Sequence, residues 1–303
     1  MSEGTAGPGV LRTVLGSYPH TAPLKNGELV DPAVSLDFVE TSPVHRAFAP
    51  MVREEAYDLC ELAVVTALQA FAYGRPVVLL PAVVASRFQR RCLIAAAERP
   101  VAAPEDLAGR RVGVRAYTQT TGLWVRAHLS ADHGLAPDRV RWTTRDGAHV
   151  EEYRDPPFVE HGIDDDGLIG MLRAGRLDAA VLGNDLPEGD EFVPVIADAA
   201  ARDREFWTTH GFMPVNHLVV AGTSAVRRDP DAVRAAYRLL VQAEGTVDRP
   251  EGAPRPTLFG FDQLRRPLEM VIATCLEQRL LPRPLDVDDV LAPARKLLGD
   301  LAG

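Results

Sequence analysis

Positive charge and long apolar runs are both scarce in this sequence. The chain has 33 Lys and Arg residues against 42 Asp and Glu residues, so its net charge is −9. A protein that binds nucleic acid through the phosphate backbone needs a basic surface, and this balance excludes that class. The apolar stretches, such as residues 76–85, are shorter than the ~20 residues of a membrane-spanning helix. We therefore expect neither a nucleic-acid partner nor a membrane partner.

Cysteine is rare as well. Cys60, Cys92 and Cys275 are far apart in the sequence, form no CxxC pair and have apolar neighbours. We interpret them as buried free thiols rather than as metal ligands or catalytic groups, and this usage is typical of a reducing compartment. The first ten residues contain no Lys or Arg and no apolar segment of signal-peptide length, so the predicted location is cytoplasmic.

Recognisable cofactor and metal motifs are absent from the sequence. No GxGxxG, P-loop or nucleophile-elbow pattern stands where a predicted strand would lead into it. The aspartates at residues 164–166 lack the remaining spacing of a calcium loop. Four histidines lack the spacing of metal ligands: His128, His133, His149 and His161. We expect no metal and no cofactor.

Strand-like and helical patterns alternate along the chain. Short apolar runs predict strands at residues 11–15, 34–39, 59–63, 77–80, 92–97, 111–114 and 177–182. Apolar residues at helical spacing predict helices at residues 45–57, 66–73, 168–172 and 229–241, and residues 117–121 open another. Pro50 is expected to kink or divide the first of these helices. The alternation indicates an α/β fold, and the polar residues 143–166 are interpreted as an inserted loop at the mouth of a site.

Several segments and single residues form a set that matches a known family. They are residues 18–24, 58–62, 86–91, 104–114 and 211–217, together with Tyr117, Thr120, Trp124 and Arg126. The set resembles the 4,5-dihydroxyphthalate decarboxylase family and spans roughly residues 11–245. Pro19 and His20 stand where that family usually has Asp and Arg, and Arg91 stands where it usually has His. These departures affect the expected substrate more than the expected fold.

The resemblance implies the two-lobed fold of type 2 periplasmic binding proteins. In that α/β fold, two mixed sheets flanked by helices are joined by a hinge and enclose a cleft between the lobes. We expect the discontinuous first lobe to contain residues 1–97 and 217–303, and the second lobe residues 98–216. The hinge strands are expected near residues 93–97 and 217–221. The ligand is expected in the interlobe cleft, with hinge closure around it.

The same resemblance implies a cofactor-independent decarboxylase that acts on an aromatic, hydroxylated carboxylic acid. Such a reaction needs an acid that protonates the ring carbon, an acceptor for the phenol and an anchor for the carboxylate. His217 is the predicted proton donor, and a histidine bonded in the hinge is the alternative. His20 is predicted to share that role or bind the phenol, unless it is an exposed loop residue. Glu61, in an apolar strand, would tune a histidine or accept a phenolic proton; a structural ion pair is equally compatible.

The predicted substrate-binding residues are arginines, hydroxyl residues and one tyrosine. They are Arg90, Arg91, Arg126, Thr120, Thr121, Ser42, Ser86 and Tyr18. Arginine offers a planar fork of donors to a carboxylate, and hydroxyl residues at a helix start accompany free backbone amides. A solvated basic turn, a surface ion pair and ordinary helix caps are the corresponding structural alternatives. The Tyr18 assignment follows only from the resemblance.

Two other functions fit the same fold. One is a non-catalytic binding protein for a small anionic solute. The other is a different lyase on this scaffold, such as a dehydratase or synthase of menaquinone synthesis, although the motifs resemble those enzymes less. In each case the expected partner is a small-molecule carboxylate, and a homodimer is left open as the assembly.

Overall fold

The computed structural model describes residues 8–183, 186–250 and 252–302, and it divides the chain into two compact units. Unit 1 comprises Met1–Ser86, His217–Met270 and Leu285–Gly303, and unit 2 comprises Arg87–Asn216 and Val271–Pro284. The sequence-based boundary at residue 216 coincides with this division. The expected boundary at residue 97 differs from the observed one, which follows Ser86. Residues 271–284, which were expected in the first lobe, lie in unit 2.

The described chain contains twelve strands and ten helices, besides short 3-10 turns. The strands are β1 (Gly9–Val14), β2 (Val34–Phe38), β3 (Leu59–Ala63), β4 (Val77–Ser86), β5 (Leu93–Ala96), β6 (Arg111–Val114), β7 (Arg141–Thr144), β8 (Val159–His161), β9 (Ala179–Val181), β10 (Phe192–Pro194), β11 (Val215–Gly222) and β12 (Leu258–Phe259). The helices are α1 (Ala22–Lys25), α2 (Phe48–Glu54), α3 (Val64–Ala72), α4 (Thr120–His133), α5 (Gly167–Arg173), α6 (Ala199–His210), α7 (Thr223–Arg228), α8 (Pro230–Gly245), α9 (Phe261–Glu277) and α10 (Val287–Leu298). The 3-10 turns are Val44–Ala47, Arg90–Cys92, Pro104–Leu107, Pro137–Arg139 and Gly299–Ala302.

Unit 1 is built on a mixed sheet with the strand order β12-β4-β11-β3-β1-β2. Strand β1 pairs in parallel with β2 and β3, whereas β11 runs antiparallel to β3. All five residues of β3 are buried, because this strand lies inside the sheet. A strand covered on both faces reads as a continuous apolar run, and that explains why its only charged residue, Glu61, was conspicuous in the sequence.

Unit 2 is built on a second mixed sheet with the order β10-β5-β9-β6-β7-β8. Its parallel pairs are β6 with β7, β6 with β9 and β7 with β8, while β5 runs antiparallel to β9 and β10. Strand β5 hydrogen-bonds only to strands of this sheet among the described residues. Residues 87–97 lie in unit 2, whereas the sequence analysis expected them in the first lobe.

Two local predictions needed correction. The polar segment 143–166 is not loop throughout, because β8 within it pairs in parallel with β7 at the sheet edge. Its residues are only partly buried or exposed, so they lack the apolar pattern of an inner strand.

Pro50 does not break α2, because it is the third residue of that helix. Amides of the first turn have no acceptor within a helix, so a proline there removes no hydrogen bond.

Helix α8 shows how the sequence specifies a helix in unit 1. The Asp229 side chain accepts a hydrogen bond from the Ala232 amide at 2.9 Å, and Pro230 occupies the first helical position. Apolar residues at helical spacing then bury one face, as predicted. In the part of the chain that the structure describes, no helix is both long and apolar enough to cross a membrane.

Candidate active site

Glu61 is the centre of a hydrogen-bonded group in unit 1. Its side chain is fully buried on β3 and accepts three hydrogen bonds. Oε1 accepts from the Tyr18 hydroxyl and lies against His217 Nδ1, each at 2.6 Å, and Oε2 accepts from the Gly16 amide at 2.7 Å. A buried carboxylate requires this kind of compensation, and here it comes from two other segments of the chain, the loop after β1 and strand β11.

The pairing of β3 with β11 brings His217 to Glu61. His217 is opposite Ala63, and Glu61 stands two residues earlier on β3. Residues two apart on a strand share a face, so the histidine and the carboxylate are diagonal neighbours on one side of the sheet. The ring of Phe48 also meets the His217 ring edge to face, with centroids 5.3 Å apart. The histidine is thus oriented by one hydrogen bond and one aromatic contact.

The charge of Glu61 fixes the proton position on His217. Burial alone raises the pKa of Glu61, but the hydrogen bonds from His217, Tyr18 and Gly16 outweigh it and hold the pKa below its usual value. An ionised carboxylate can only accept, so Nδ1 of His217 must carry the proton of that hydrogen bond. The hydrogen bond to Glu61 therefore leaves Nε2 as the unprotonated nitrogen of a neutral His217 ring. The His217 side chain remains 22% exposed, whereas Glu61 is 0% exposed.

The loop after β1 wraps around the same carboxylate. Val14 at the end of β1 pairs with Cys60, which directs residues 16–18 over Glu61. Gly16 is required by packing, because a Cβ atom there would lie 2.7 Å from the Tyr18 ring. The rings of Tyr18 and His20 are stacked, with centroids 5.2 Å apart and planes 8° apart. The structure therefore brings together four predicted residues: Tyr18, His20, Glu61 and His217.

His20 is not the exposed loop residue that its sequence context allowed. It is 4% exposed, and its Nε2 atom has no hydrogen-bond partner among the described residues. Burial lowers the pKa of His20, and the charge of Arg249 lowers it further, against the opposing effect of Glu244 and Glu61. A buried neutral imidazole with an unpartnered nitrogen is suited to one hydrogen bond with a bound hydroxyl group.

The two serines differ in their environments. Ser42 is exposed, and the 3-10 turn that follows has Pro43 at its N-cap position, so Ser42 does not cap it. Its carbonyl accepts a hydrogen bond from Arg46 at 3.0 Å. Ser86 is buried at the end of β4, and its hydroxyl has no partner within the described residues.

In unit 2, the first turn of α4 gathers groups that favour an anion. The amides of Thr120, Thr121 and Gly122 have no acceptor within the helix, because they are in its first turn. Thr121 Oγ1 accepts from Arg87 Nη2 at 2.7 Å, and the buried Thr120 hydroxyl has no partner in the described chain. Donors and a cation at a helix N-terminus form an anion-binding arrangement. Arg87 was overlooked in the sequence, although it directly follows Ser86 in a matched segment.

The predicted anchors Arg90 and Arg91 do not behave alike. Arg90 is buried and forms ion pairs with Asp132 at 2.9 Å and with Asp203 at 2.7 Å. Arg91 is exposed. The charge of Arg90 is thus already compensated within unit 2, which supports a structural role rather than a carboxylate anchor.

Arg126 is fully buried instead of lying at a surface. Nε donates to the side chain of Gln278 at 2.6 Å, and Nη2 donates to the Tyr117 carbonyl at 2.7 Å. The guanidinium group also stacks over the Tyr117 ring, 3.9 Å from its centroid.

Within residues 8–183, 186–250 and 252–302, no cluster of three or more His, Cys, Asp or Glu side chains is placed to hold a metal ion.

Comparison with curated proteins identifies two relatives with one activity. A 4,5-dihydroxyphthalate decarboxylase of Pseudomonas putida is 30% identical over 181 residues, which are 56% of this chain and 69% of that protein. A 4,5-dihydroxyphthalate decarboxylase of Comamonas testosteroni is 28% identical over 151 residues, which are 50% of this chain and 44% of that protein. The match thus spans less than half the length of the second relative. No protein-family model matches the chain.

Comparison with solved structures supports the expected fold. The alkanesulfonate-binding protein SsuA from Xanthomonas axonopodis pv. citri, bound to MOPS, matches with a TM-score of 0.59. The match covers 96% of this chain and 99% of that one, at 15% sequence identity. Likeness at this identity shows the fold alone. The predicted fold class, two mixed sheets flanked by helices in a periplasmic-binding-protein-like fold, is confirmed.

Proposed function

From the premise that this chain belongs to the 4,5-dihydroxyphthalate decarboxylase family, we propose that it removes CO2 from a hydroxylated aromatic carboxylic acid. Membership of that family makes the chain a carbon–carbon lyase of the decarboxylase type. The proposed substrate class is a phthalate-like acid that carries ring hydroxyl groups. The observation that supports this function most directly is the His217–Glu61 pair.

The proposed reaction begins with a proton transfer to the ring. Direct loss of CO2 would leave an aryl carbanion, whereas protonation of the carbon that bears the carboxylate avoids it. The C–C bond then breaks, CO2 departs, and its bonding electrons restore the aromatic ring. The added proton remains on the ring carbon, so one proton is consumed for each CO2 released. The acid must regain a proton from solvent before the next cycle.

His217 is the proposed proton donor. Glu61 holds Nδ1, so Nε2 is the atom that delivers the proton, and the partly exposed ring can be reprotonated. The Glu61 carboxylate accepts the hydrogen on Nδ1 and so fixes the tautomer and the orientation of the ring. Glu61 itself already accepts hydrogen bonds from three donors and is proposed as a positioning residue rather than a base.

His20 is proposed to bind a ring hydroxyl group. Its unpartnered Nε2 is buried, and the lowered pKa of His20 keeps the ring neutral near pH 7. A neutral imidazole nitrogen can accept the phenolic hydrogen, and this increases electron density on the ring. We expect His20→Leu to lose most of the preference for 4,5-dihydroxyphthalate over unsubstituted phthalate. Equal preference in the variant and the wild type would contradict this role.

The first turn of α4 in unit 2 is proposed to bind a carboxylate. Its support is the combination of free amides, the Thr120 hydroxyl and the Arg87–Thr121 contact. Arg87→Met should raise the Kd for phthalate about tenfold or more, because a charge-assisted partner is removed. Arg91→Met removes an exposed arginine nearby in the sequence and serves as the matched control.

The decisive test is turnover by the purified chain. Incubation with 4,5-dihydroxyphthalate and a panel of hydroxylated aromatic acids should release CO2 in stoichiometric amounts. His217→Ala should reduce kcat by orders of magnitude and retain phthalate binding, while the control His133→Ala in unit 2 should leave kcat unchanged. Tight binding of these acids without any CO2 release would instead support a non-catalytic binding protein.

A reducing, cytoplasmic location is part of the proposal. Cys60, Cys92 and Cys275 are all buried free thiols. Proteins of oxidising compartments more often pair their cysteines. Fractionation of cells that express the native gene, followed by immunoblotting, would test the location, and recovery from an exported fraction would contradict it.

A further inference from the structure

Arg126 carries a buried charge that forms no ion pair with any residue the structure describes. Its side chain is 0% exposed, and its hydrogen-bond acceptors are the amide of Gln278 and the carbonyl of Tyr117. No carboxylate in the described part of the chain forms an ion pair with it. The Asp155 carboxyl lies within electrostatic range, but it pairs with His161, and burial raises the pKa of Asp155. A buried cation without an ion-pair partner is costly, so its presence calls for a reason beyond packing.

The unused end of this guanidinium lies beside the first turn of α4. Arg126 is four residues after Gly122, so its side chain runs back along the helix toward the N-terminus. A Cβ atom on Gly122 would be 3.0 Å from Nη1, and Nη1 is buried without a partner in the described residues. The missing side chain at Gly122 therefore leaves room for the cation within about one turn, 5.4 Å, of the first helical residue.

The same turn already has a positive end. Its free amides and the helix dipole favour an anion, and a second buried polar atom there, the Thr120 hydroxyl, also has no partner among the described residues. The Arg126 charge and the positive ends of these amide dipoles repel each other, and a bound carboxylate would reduce that repulsion. The positive potential of Arg126 and the amide donors of the first turn therefore both favour the negative charge of a bound carboxylate.

We propose that Arg126 is a positioning residue whose buried, uncompensated charge raises the affinity of the first turn of α4 for a carboxylate without touching it. This inference rests on the proposed carboxylate-binding role of that turn. A unit charge that acts on a nearby anion through partly polar surroundings corresponds to a roughly 10- to 50-fold change in affinity. The charge of Arg126 changes substrate affinity and does not change the rate of proton transfer from His217.

The test uses phthalate as the probe and calorimetry as the readout, with kcat and KM for 4,5-dihydroxyphthalate measured in parallel. Arg126→Met should raise the Kd for phthalate roughly 10- to 50-fold and raise KM, with kcat changed less than about threefold. Arg126→Lys keeps the charge without the fork of donors and should recover most of that affinity. Arg115→Met, which removes an arginine paired with Asp146 elsewhere in unit 2, should bind phthalate like the wild type.

A second variant tests the charge without removing the arginine. Gln278→Glu supplies a carboxylate at the Nε contact and should raise the Kd for phthalate roughly 10- to 50-fold. This variant tests the charge effect independently of whether Arg126→Met folds. A merely structural role predicts unchanged phthalate affinity in folded Gln278→Glu and no advantage of Lys over Met. Either result would overturn the proposal while leaving the decarboxylase function intact. A wild-type chain that binds no aromatic carboxylate would overturn both.

Discussion

His217 and Glu61 are 156 residues apart in the sequence, yet Nδ1 of the histidine lies 2.6 Å from Oε1 of the glutamate. The contact exists because β11 pairs antiparallel with β3 in a register that places His217 opposite Ala63. A shift of this register by one residue would turn His217 to the other face of the sheet. The hydrogen bonds between β11 and β3 therefore fix the relative positions of the proposed acid and its orienting carboxylate, and paired strands are more rigid than a loop.

Replacing Glu61 by Gln tests the role of its charge. We expect Glu61→Gln to lower kcat about 100-fold or more, because a neutral amide can donate as well as accept and no longer fixes the tautomer and orientation of the His217 ring. The Glu105–His133 pair in unit 2 provides a matched control, and Glu105→Gln should retain full activity. Unchanged turnover in Glu61→Gln would remove this carboxylate from the mechanism.

The same residue should make stability depend on pH in the acid range. The pKa of Glu61 is lower in the folded chain than its usual value of 4.5, so the unfolded chain binds the proton more readily. The stabilisation is therefore present above about pH 4.5 and is lost as the pH falls through the folded-state pKa. Urea unfolding at several values between pH 6 and pH 3 should show a smaller acid loss for Glu61→Gln than for the wild type.

Gly16 controls the Tyr18–Glu61 hydrogen bond by leaving room for the tyrosine ring. Gly16→Ala would place a Cβ atom 2.7 Å from that ring, so the hydroxyl should move away from Glu61. We expect kcat to fall about tenfold, as in Tyr18→Phe, and the double variant to add little. Gly147→Ala introduces the same methyl group where no atom lies within 4 Å and should be silent. Full activity of Gly16→Ala would show that the tyrosine contact is dispensable.

His128 should make unit 2 sensitive to acid. Burial lowers the pKa of His128 well below 6.5, and the charges of Arg90 and His210 lower it further. Below pH 6.5 the unfolded chain takes up a proton that the folded chain excludes, so stability should fall by up to about 1.4 kcal/mol per pH unit. His128→Gln should flatten the unfolding free energy between pH 7 and pH 5, whereas His133→Gln should not. If the unfolding free energy of His128→Gln still falls steeply between pH 7 and pH 5, groups other than His128 cause the acid sensitivity.

Arg90 is expected to matter for stability rather than for substrate binding. Arg90→Met leaves Asp132 and Asp203 without their shared cation, and removal of one partner from a buried pair costs about 3–5 kcal/mol. The unfolding free energy should fall by that amount, while KM at a temperature where the variant is folded should be unchanged. Arg91→Met, at the exposed neighbouring position, is the control for stability. A large rise in KM for Arg90→Met would restore Arg90 as an anchor.

The sequence by itself determined the α/β order of strands and helices, the N-cap of α8 and the buried free thiols. These features depend on local periodicity, on capping chemistry and on the apolar neighbours of each cysteine, all of which are readable along the chain. It also marked Glu61 as a carboxylate in an apolar strand that needed a partner. It could not say that three donors from two other segments would meet there.

Tertiary structure alone decided what each arginine does. Arg90, Arg91 and Arg126 looked alike as anchors, but Arg90 meets Asp203, 113 residues away, and Arg126 meets Gln278, 152 residues away. Arg87, which was overlooked, contacts Thr121 at the start of α4. The sequence shows only that a guanidinium is charged. Whether a carboxylate compensates that charge depends on contacts between distant segments, and these form only when the chain folds.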